Sequence, residues 1–544
     1  MGMYRPTNRQ VPLLSPAHHL SERSRTRLAG SWAPTFRSEI LPQLLASEGE
    51  FRDLYCADNG RPTWSVARKL GICLLQEVFD LDDQTALDAL SFDARWQYAL
   101  EVGPEEAYLS RRSLVEFRSL LVSRDPTMER MRRLFDRIAA TGIERLKLSV
   151  RDQRIDSTHI VSNIRVRGRR ELFSATLDLA LRQAEAVRAG VLEGLPEDVR
   201  AWFNEEMPSD DSFAWSDRAH GTPIETLAGW MLSFVEMFRE DAEIAALPGY
   251  GMVQRLLDEH CAITPSPKEP GESGDGETSI AGDRVQVLPK ARKPVSQCLQ
   301  SPFDPDVGRG HKGTGYEVQV VETCGNTATE IITDFDVLPS GIQDAHQAPA
   351  ALARLDRRGN KPDRLFADAG YVNGPSLADA EVRGVDLYGP ISRGKLEEDA
   401  IGREEFMFDE DGHVVACPMG QRVSRRGTRR RLGKVQPMAY FDGHACETCP
   451  REASCPAQPD SNTTRLRRLP DRPDLRLRDR RLAEQRTPEW RIHYRIRSGI
   501  EATNSELKRV HGLGRLRVRR KARVRLSVTL KLTACNVKRI MHAP

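Results

Sequence analysis

The order of elements between residues 146 and 390 constrains this chain more than any other feature. Strand-like runs at 146–155, 316–322 and 329–336 are followed by a helical pattern at 345–357, a strand at 364–367, a helix at 376–383 and a strand at 385–390. This β-β-β-α-β-α-β succession, interrupted after its first strand by ninety-odd helical residues, predicts an α/β fold with a mixed sheet flanked by helices. Two acids punctuate it: Asp156 closes the first strand-like run and Asp368 the fourth.

The remaining segments surround that frame. At 544 residues the chain exceeds one ordinary core, so several domains are expected. Residues 1–145 read as short helices with apolar positions at helical spacing in 64–79, a cap at Asp82 or Asp83 and another at Ser110. Exposed Arg and Lys on such helices suit a helical N-terminal DNA-binding domain of the helix-turn-helix kind. Residues 171–263 read as a helical insert, 264–296 as a linker rich in Pro, Gly, Ser and charge, and 393–484 as a Cys-rich basic insert. The α/β frame then comprises 146–170, 297–392 and 485–544, with Thr487-Pro488 opening its last helical region. No apolar run approaches a membrane span and no long apolar stretch marks a secretory signal, so a soluble, cytoplasmic protein without a membrane partner is expected.

The net charge of +3 hides an asymmetry. Residues 461–544 hold 24 Lys+Arg against 7 Asp+Glu, a surplus of +17 that leaves the rest of the chain at −14. A basic C-terminal part beside an acidic body points to a polyanionic partner, although a solvated charged face has the same composition.

Projecting 490–511 as one helix, with Tyr494 at zero, sets Arg497, Glu501 and Lys508 within about 60° on one stripe. Ile492, Ile496, Ile500, Leu507 and Val510 fall at about 160–240°, the expected buried side. Read alone, the stripe is also what a solvent-exposed face with an Arg497–Glu501 pair looks like. The two acids at strand ends shift the balance. Three carboxylates gathered at one point repel and lose solvation, and are stable around a divalent cation, for which all-oxygen ligation selects Mg²⁺ or Mn²⁺. Asp156, Asp368 and Glu501 are therefore the candidate catalytic and metal-binding residues.

The spacing Tyr494-x2-Arg497-x3-Glu501-x6-Lys508 resembles the signature of the DDE transposases of bacterial insertion sequences. The blocks RIDSTHIVSNI, FADAGYVNGPSLADAEVRGVDLYGPI and RSGIEATNSELKRVHGLGRLRVRRKARV resemble the family's three acid blocks, and the likeness spans essentially the whole chain. The resemblance implies an RNase H-like fold with Asp156, Asp368 and Glu501 as its DDE triad and with Tyr494, Arg497 and Lys508 on DNA phosphates. It also implies metal-dependent cleavage of double-stranded DNA at element ends and transfer of a 3′-hydroxyl into target DNA. A homodimer on DNA is expected, since two ends must be joined. The helical insert and the Cys-rich segment, between acids 133 residues apart at Asp368 and Glu501, depart from simpler members. A metal-dependent nuclease without strand transfer, and a non-catalytic DNA-binding descendant, stay open as alternatives.

Cys417, Cys446, Cys449 and Cys455, with one C-x2-C step, have spacings that close a structural Zn²⁺ site, with His413 or His444 as substitutes; free thiols are the other reading. The six other cysteines are read as unremarkable. His159 is expected to be either a supporting neighbour of the site or a loop residue. Trp490 and His493 suit either base stacking or packing, and His511 with Gly512 and Gly514 should end the helix.

Overall fold

The computed structural model describes residues 2–7, 17–204, 221–264, 284–326, 329–392, 399–431, 434–460 and 463–543. The N-terminal part is helical as expected: α1 (Val66–Val78), α2 (Asp83–Phe92), α3 (Arg111–Arg124) and α4 (Glu129–Arg145). Asp82 caps α2 through the amides of Gln84 and Thr85, and Ser110 caps α3 through Ser113.

The central sheet contains β1 (Asp152–Ile160), β2 (Gly308–Gly310), β3 (Gly313–Thr323), β4 (Ile332–Pro339), β5 (Arg364–Phe366) and β6 (Asp386–Tyr388). β3 lies antiparallel to β1, β2 and β4, whereas β1–β5 and β5–β6 are parallel. The path β4-β3-β1-β5-β6 is a curled mixed sheet compatible with an RNase H-like fold. The first strand begins later than its hydrophobic pattern implied. α4 runs to Arg145 and β1 starts at Asp152, so Asp156 lies inside the strand and does not close it.

Alternation on the strands separates the two faces. Ile155 and Val321 face α8 (Gln347–Arg357), α9 (Gly374–Val382) and α10 (Arg476–Glu484), through Leu352, Leu377 and Leu482. Ile160, Val318 and Val320 face Leu507 and α13 (Lys521–His542), through Val528 and Leu532. α13 is buried over much of its surface because its other side, from Leu526 to Ile540, enters the core of the N-terminal helices.

The stretch after β1 is helical, as expected, and consists of several helices. α5 (Arg169–Val187), α6 (Ile224–Met237) and α7 (Pro248–His260) pack around a separate apolar cluster. Cys261–Ile263 then pairs with Val285–Val287, so part of the expected linker is a β-ribbon, while 265–283 lies outside the described residues. The Cys-rich segment folds as an antiparallel sheet of β7 (Arg425–Arg431), β8 (Lys434–Asp442), β9 (Gln458–Asp460) and β10 (Thr463–Pro470). The helix expected over 490–511 is broken into α11 (Pro488–Tyr494), a 3-10 turn at Arg495–Gly499 and α12 (Ile500–Arg509). That break rotates the apolar stripe, and Ile492 and Val510 are exposed where the projection buried them. Among the described residues no helix is long and apolar enough to cross a membrane.

Candidate active site

The three acids come together across 345 residues of sequence because the sheet opens at one point. β5 pairs with β1 only as far as Arg154↔Phe366, so Asp156, although mid-strand and paired with Val320 on its other side, has no strand partner on the β5 side among the described residues. Asp368 follows two residues after Phe366 at the same opening. The Asn373 side chain accepts from Ser376 at the start of α9 and donates to Ala345, which fixes the loop after Asp368. Tyr371, in the same loop, is buried and donates its hydroxyl to Gln319 on β3. Glu501 enters from the first turn of α12.

Arg497 joins all three carboxylates. Its Nη2 lies 3.0 Å from Asp156 Oδ1 and 3.8 Å from Asp368 Oδ2, and its Nη1 lies 3.3 Å from Glu501 Oε1. Burial raises the Asp156 carboxyl above the usual carboxylate range, against Arg497, and Asp368 pushes it in the same upward direction. Asp368 and Glu501 are more than half exposed, so the site has one buried wall and two accessible ones.

A second layer of polar side chains sets the height and rotation of α12. Arg154 donates to Glu322 at 2.7 Å and to the Ile496 carbonyl at 2.9 Å. Thr503 donates to the same Glu322 at 2.6 Å. Arg539 on α13 reaches Thr503 at 2.7 Å and Glu506 at 2.8 Å. Glu322 is fully buried, so these donors offset what would otherwise be a costly unpaired charge. Asn504 donates to Asp156 Oδ2 at 3.1 Å. Asn504 was missed by the sequence reading although its ideal helical angle, about −80° from Tyr494, borders the polar stripe. Gly499 explains itself here, because a Cβ would overlap Arg154 Nη1. Gly499→Ala is expected to displace Arg154 and destabilise the protein by about 1–3 kcal/mol, read as a lower thermal midpoint. An unchanged midpoint would show that Arg154 yields without cost.

The other predicted residues divide. Tyr494 donates to the Ala367 carbonyl at 3.2 Å and stacks on Trp490, which stacks on Tyr388. Burial pushes the Tyr494 hydroxyl up to about 12. Trp490 is thus a packing residue, while His493 and Lys508 are exposed. His159 sits on β1 itself, not in a loop, and pairs with Ser340 Oγ at 3.0 Å. The segment after α12 continues beside β1, with Val161 N bonded to Gly514 O and Leu516 N to Val161 O. It carries exposed Arg515, Arg517, Arg519 and Arg520, followed by Arg523 at the start of α13.

Cys417, Cys446, Cys449 and Cys455 line one cavity of about 390 Å³. Burial pushes the Cys446 thiol up, and against Arg467 the other three sulfurs push it the same way. His413 is bonded to Asp471 at 3.0 Å and His444 is exposed beside Glu447, so neither lines that cavity.

A family profile described as a transposase DDE domain matches residues 416–541, which contain the four cavity cysteines, Glu501, Arg497 and Lys508. This match supports a DDE transposase. A second profile, described as a transposase domain (DUF772), matches residues 36–120, over α1, α2 and most of α3. Asp156 and Asp368 lie outside both matches. The geometry at Arg497 brings both of them beside Glu501. No curated protein and no solved structure matches the chain.

Proposed function

We propose that the chain is the transposase of an insertion sequence, which cuts double-stranded DNA at the element's ends and transfers the freed 3′-hydroxyls into target DNA. The observation that carries this reading is the meeting of Asp156, Asp368 and Glu501 on one guanidinium. Three carboxylates around a single positive charge leave an excess of negative charge, and their hard oxygen donors fit Mg²⁺ or Mn²⁺. Asp156, Asp368 and Glu501 would hold that cation, which when bound supplies charge stabilisation for in-line displacement at phosphorus.

The chain's own residues supply position and grip. Asp156 is oriented by strand pairing and by Asn504, and Glu501 by the anchoring of α12 through Thr503 and Arg154. Arg497 steadies the carboxylates relative to one another. Lys508 and the arginines from Arg515 to Arg523, which run along the extension of β1 past Asp156, would take the phosphate backbone. Replacing Arg517 and Arg519 together with alanine should reduce the slope of log binding constant against log salt by about 2. A slope equal to wild type, measured by titration of duplex DNA at several salt concentrations, would remove them from the interface.

The helices of residues 1–145 would recognise the element end, with two copies of the chain bringing two ends together. The four cysteines lining that cavity would hold a structural Zn²⁺ by drawing their sulfurs inward, since no three of them stand within 4.8 Å of one another as they lie and four thiolates would leave no open position. The test of the whole reading is an end-joining assay with a duplex carrying a pre-cut 3′ end and a second target duplex. Covalent joining is expected. Cleavage without any joined product would make the protein a nuclease, and binding without either would make it a DNA-binding descendant.

A further inference from the structure

Glu506 on α12, His511 in the turn after it and Cys535 on α13 each bring a ligand atom to within 4.8 Å of the other two. His511 and Cys535 are fully buried and Glu506 is partly buried. The His511 ring is oriented by its first nitrogen: Nδ1 lies 3.1 Å from the Glu77 carbonyl oxygen, which only accepts, so Nδ1 carries the proton and Nε2 presents a lone pair. That Nε2 is buried without a hydrogen-bond partner. Glu506 is steadied through Oε2 by Arg539 at 2.8 Å. A histidine held by a backbone carbonyl at the nitrogen that does not face the cluster, and a carboxylate held by an outer donor, are the supports that metal ligands characteristically have.

We propose that Glu506, His511 and Cys535 form a Zn²⁺ site distinct from the three-carboxylate site. A thiolate, an imidazole and a carboxylate make a mixed sulfur, nitrogen and oxygen donor set that suits Zn²⁺ and not the hard cations favoured by oxygen alone. Binding forms three bonds to the metal and releases the Cys535 thiol proton to solvent, with water completing the fourth position. Bonds of about 2.0–2.3 Å require the ligand atoms to stand about 3.3–3.8 Å apart, a small contraction of the present cluster. The consequence is mechanical. The ion would tie α12, which carries Glu501, to α13, and through the His511–Glu77 bond to the end of α1, so the N-terminal helices and the third acid would share one fastening.

The test uses the full chain stripped of metal and titrated with Co²⁺, whose thiolate complexes absorb in the near ultraviolet. The Cys417–Cys455 cavity is present in every sample, so the reading is a difference. Wild type is expected to bind one equivalent more than Cys535→Ser and than His511→Gln, and the lost absorption should be that of a single thiolate. Equal stoichiometry in wild type and both variants overturns the site. Should either variant fail to fold, zinc-edge anomalous diffraction from wild-type crystals grown in Zn²⁺ decides: a peak among the three side chains is expected, and its absence overturns the proposal.

Discussion

Asp156→Asn is expected to lower DNA-end cleavage by about a thousandfold or more, equivalent to roughly 4 kcal/mol of transition-state stabilisation. The same substitution should make the metal-free protein more stable at neutral pH. Burial holds the folded-state Asp156 carboxyl above its unfolded value, so its contribution to stability is present below the unfolded value and is lost as pH rises through the folded one. At neutral pH the ionised side chain therefore costs stability, and asparagine removes that cost while still accepting from Asn504. Activity down with thermal midpoint up separates a site held under electrostatic strain from an ordinary structural aspartate. A fall in both would mark Asp156 as structural. The acid limb of the cleavage rate should correspondingly lie above the ordinary carboxylate range, and Arg497→Met, which removes the charge that lowers Asp156, should move it to still higher pH.

The second large effect is on the fold. Asp334 on β4 is fully buried and meets Arg132 of α4 together with Arg354 at 2.9 Å and Arg358 at 2.6 Å, at or just beyond the end of α8. Burial alone would raise its carboxyl, but the three guanidiniums override that and hold it below the usual range. Its stabilisation is present above the unfolded value and lost as pH falls through the folded one. Asp334→Ala leaves three arginines facing a vacated site at the junction of the N-terminal helices and the sheet. The expected cost is about 3–5 kcal/mol at neutral pH, with wild type and variant converging in acid. Denaturant unfolding at neutral and acid pH checks it, and a loss that is small or independent of pH would mean that Arg132 and its neighbours are served by other partners.

Much of the sheet was legible because its strands carry period-two hydrophobicity bounded by turns. The strands around Tyr316 and Phe335, the helix ending at Arg357 and the strand before Asp368 all lie within a few residues of where the pattern put them. Residues 146–151 misled because Leu146 and Leu148 pack against the core of the N-terminal helices without joining a strand, so burial was readable there but pairing was not. The three candidate acids were picked out by the spacing of the last helix and two acids near strand ends, and the structure brings their side chains together at Arg497. What holds them there was not legible. Arg154 and Glu322 are charges buried on strands, and a sequence gives no sign that one will find the other across 168 residues. The 3-10 turn at Arg495–Gly499 was invisible to a projection that assumed a constant rotation per residue, and it is this turn that carries Arg497 into the acids. The scattered cysteines were passed over for the same reason: Cys535 reads as one more small apolar position on α13 until His511 is seen beside it.

The most direct measurement is manganese-edge anomalous diffraction from crystals of the full chain grown in Mn²⁺. The account predicts a peak bonded at about 2.0–2.2 Å to oxygens of Asp156 and Asp368, with Glu501 on the same ion or its neighbour, and loss of the peak in Asp156→Asn. Crystals saturated with Mn²⁺ that keep Arg497 closed on all three carboxylates, with no ion among them, would contradict it.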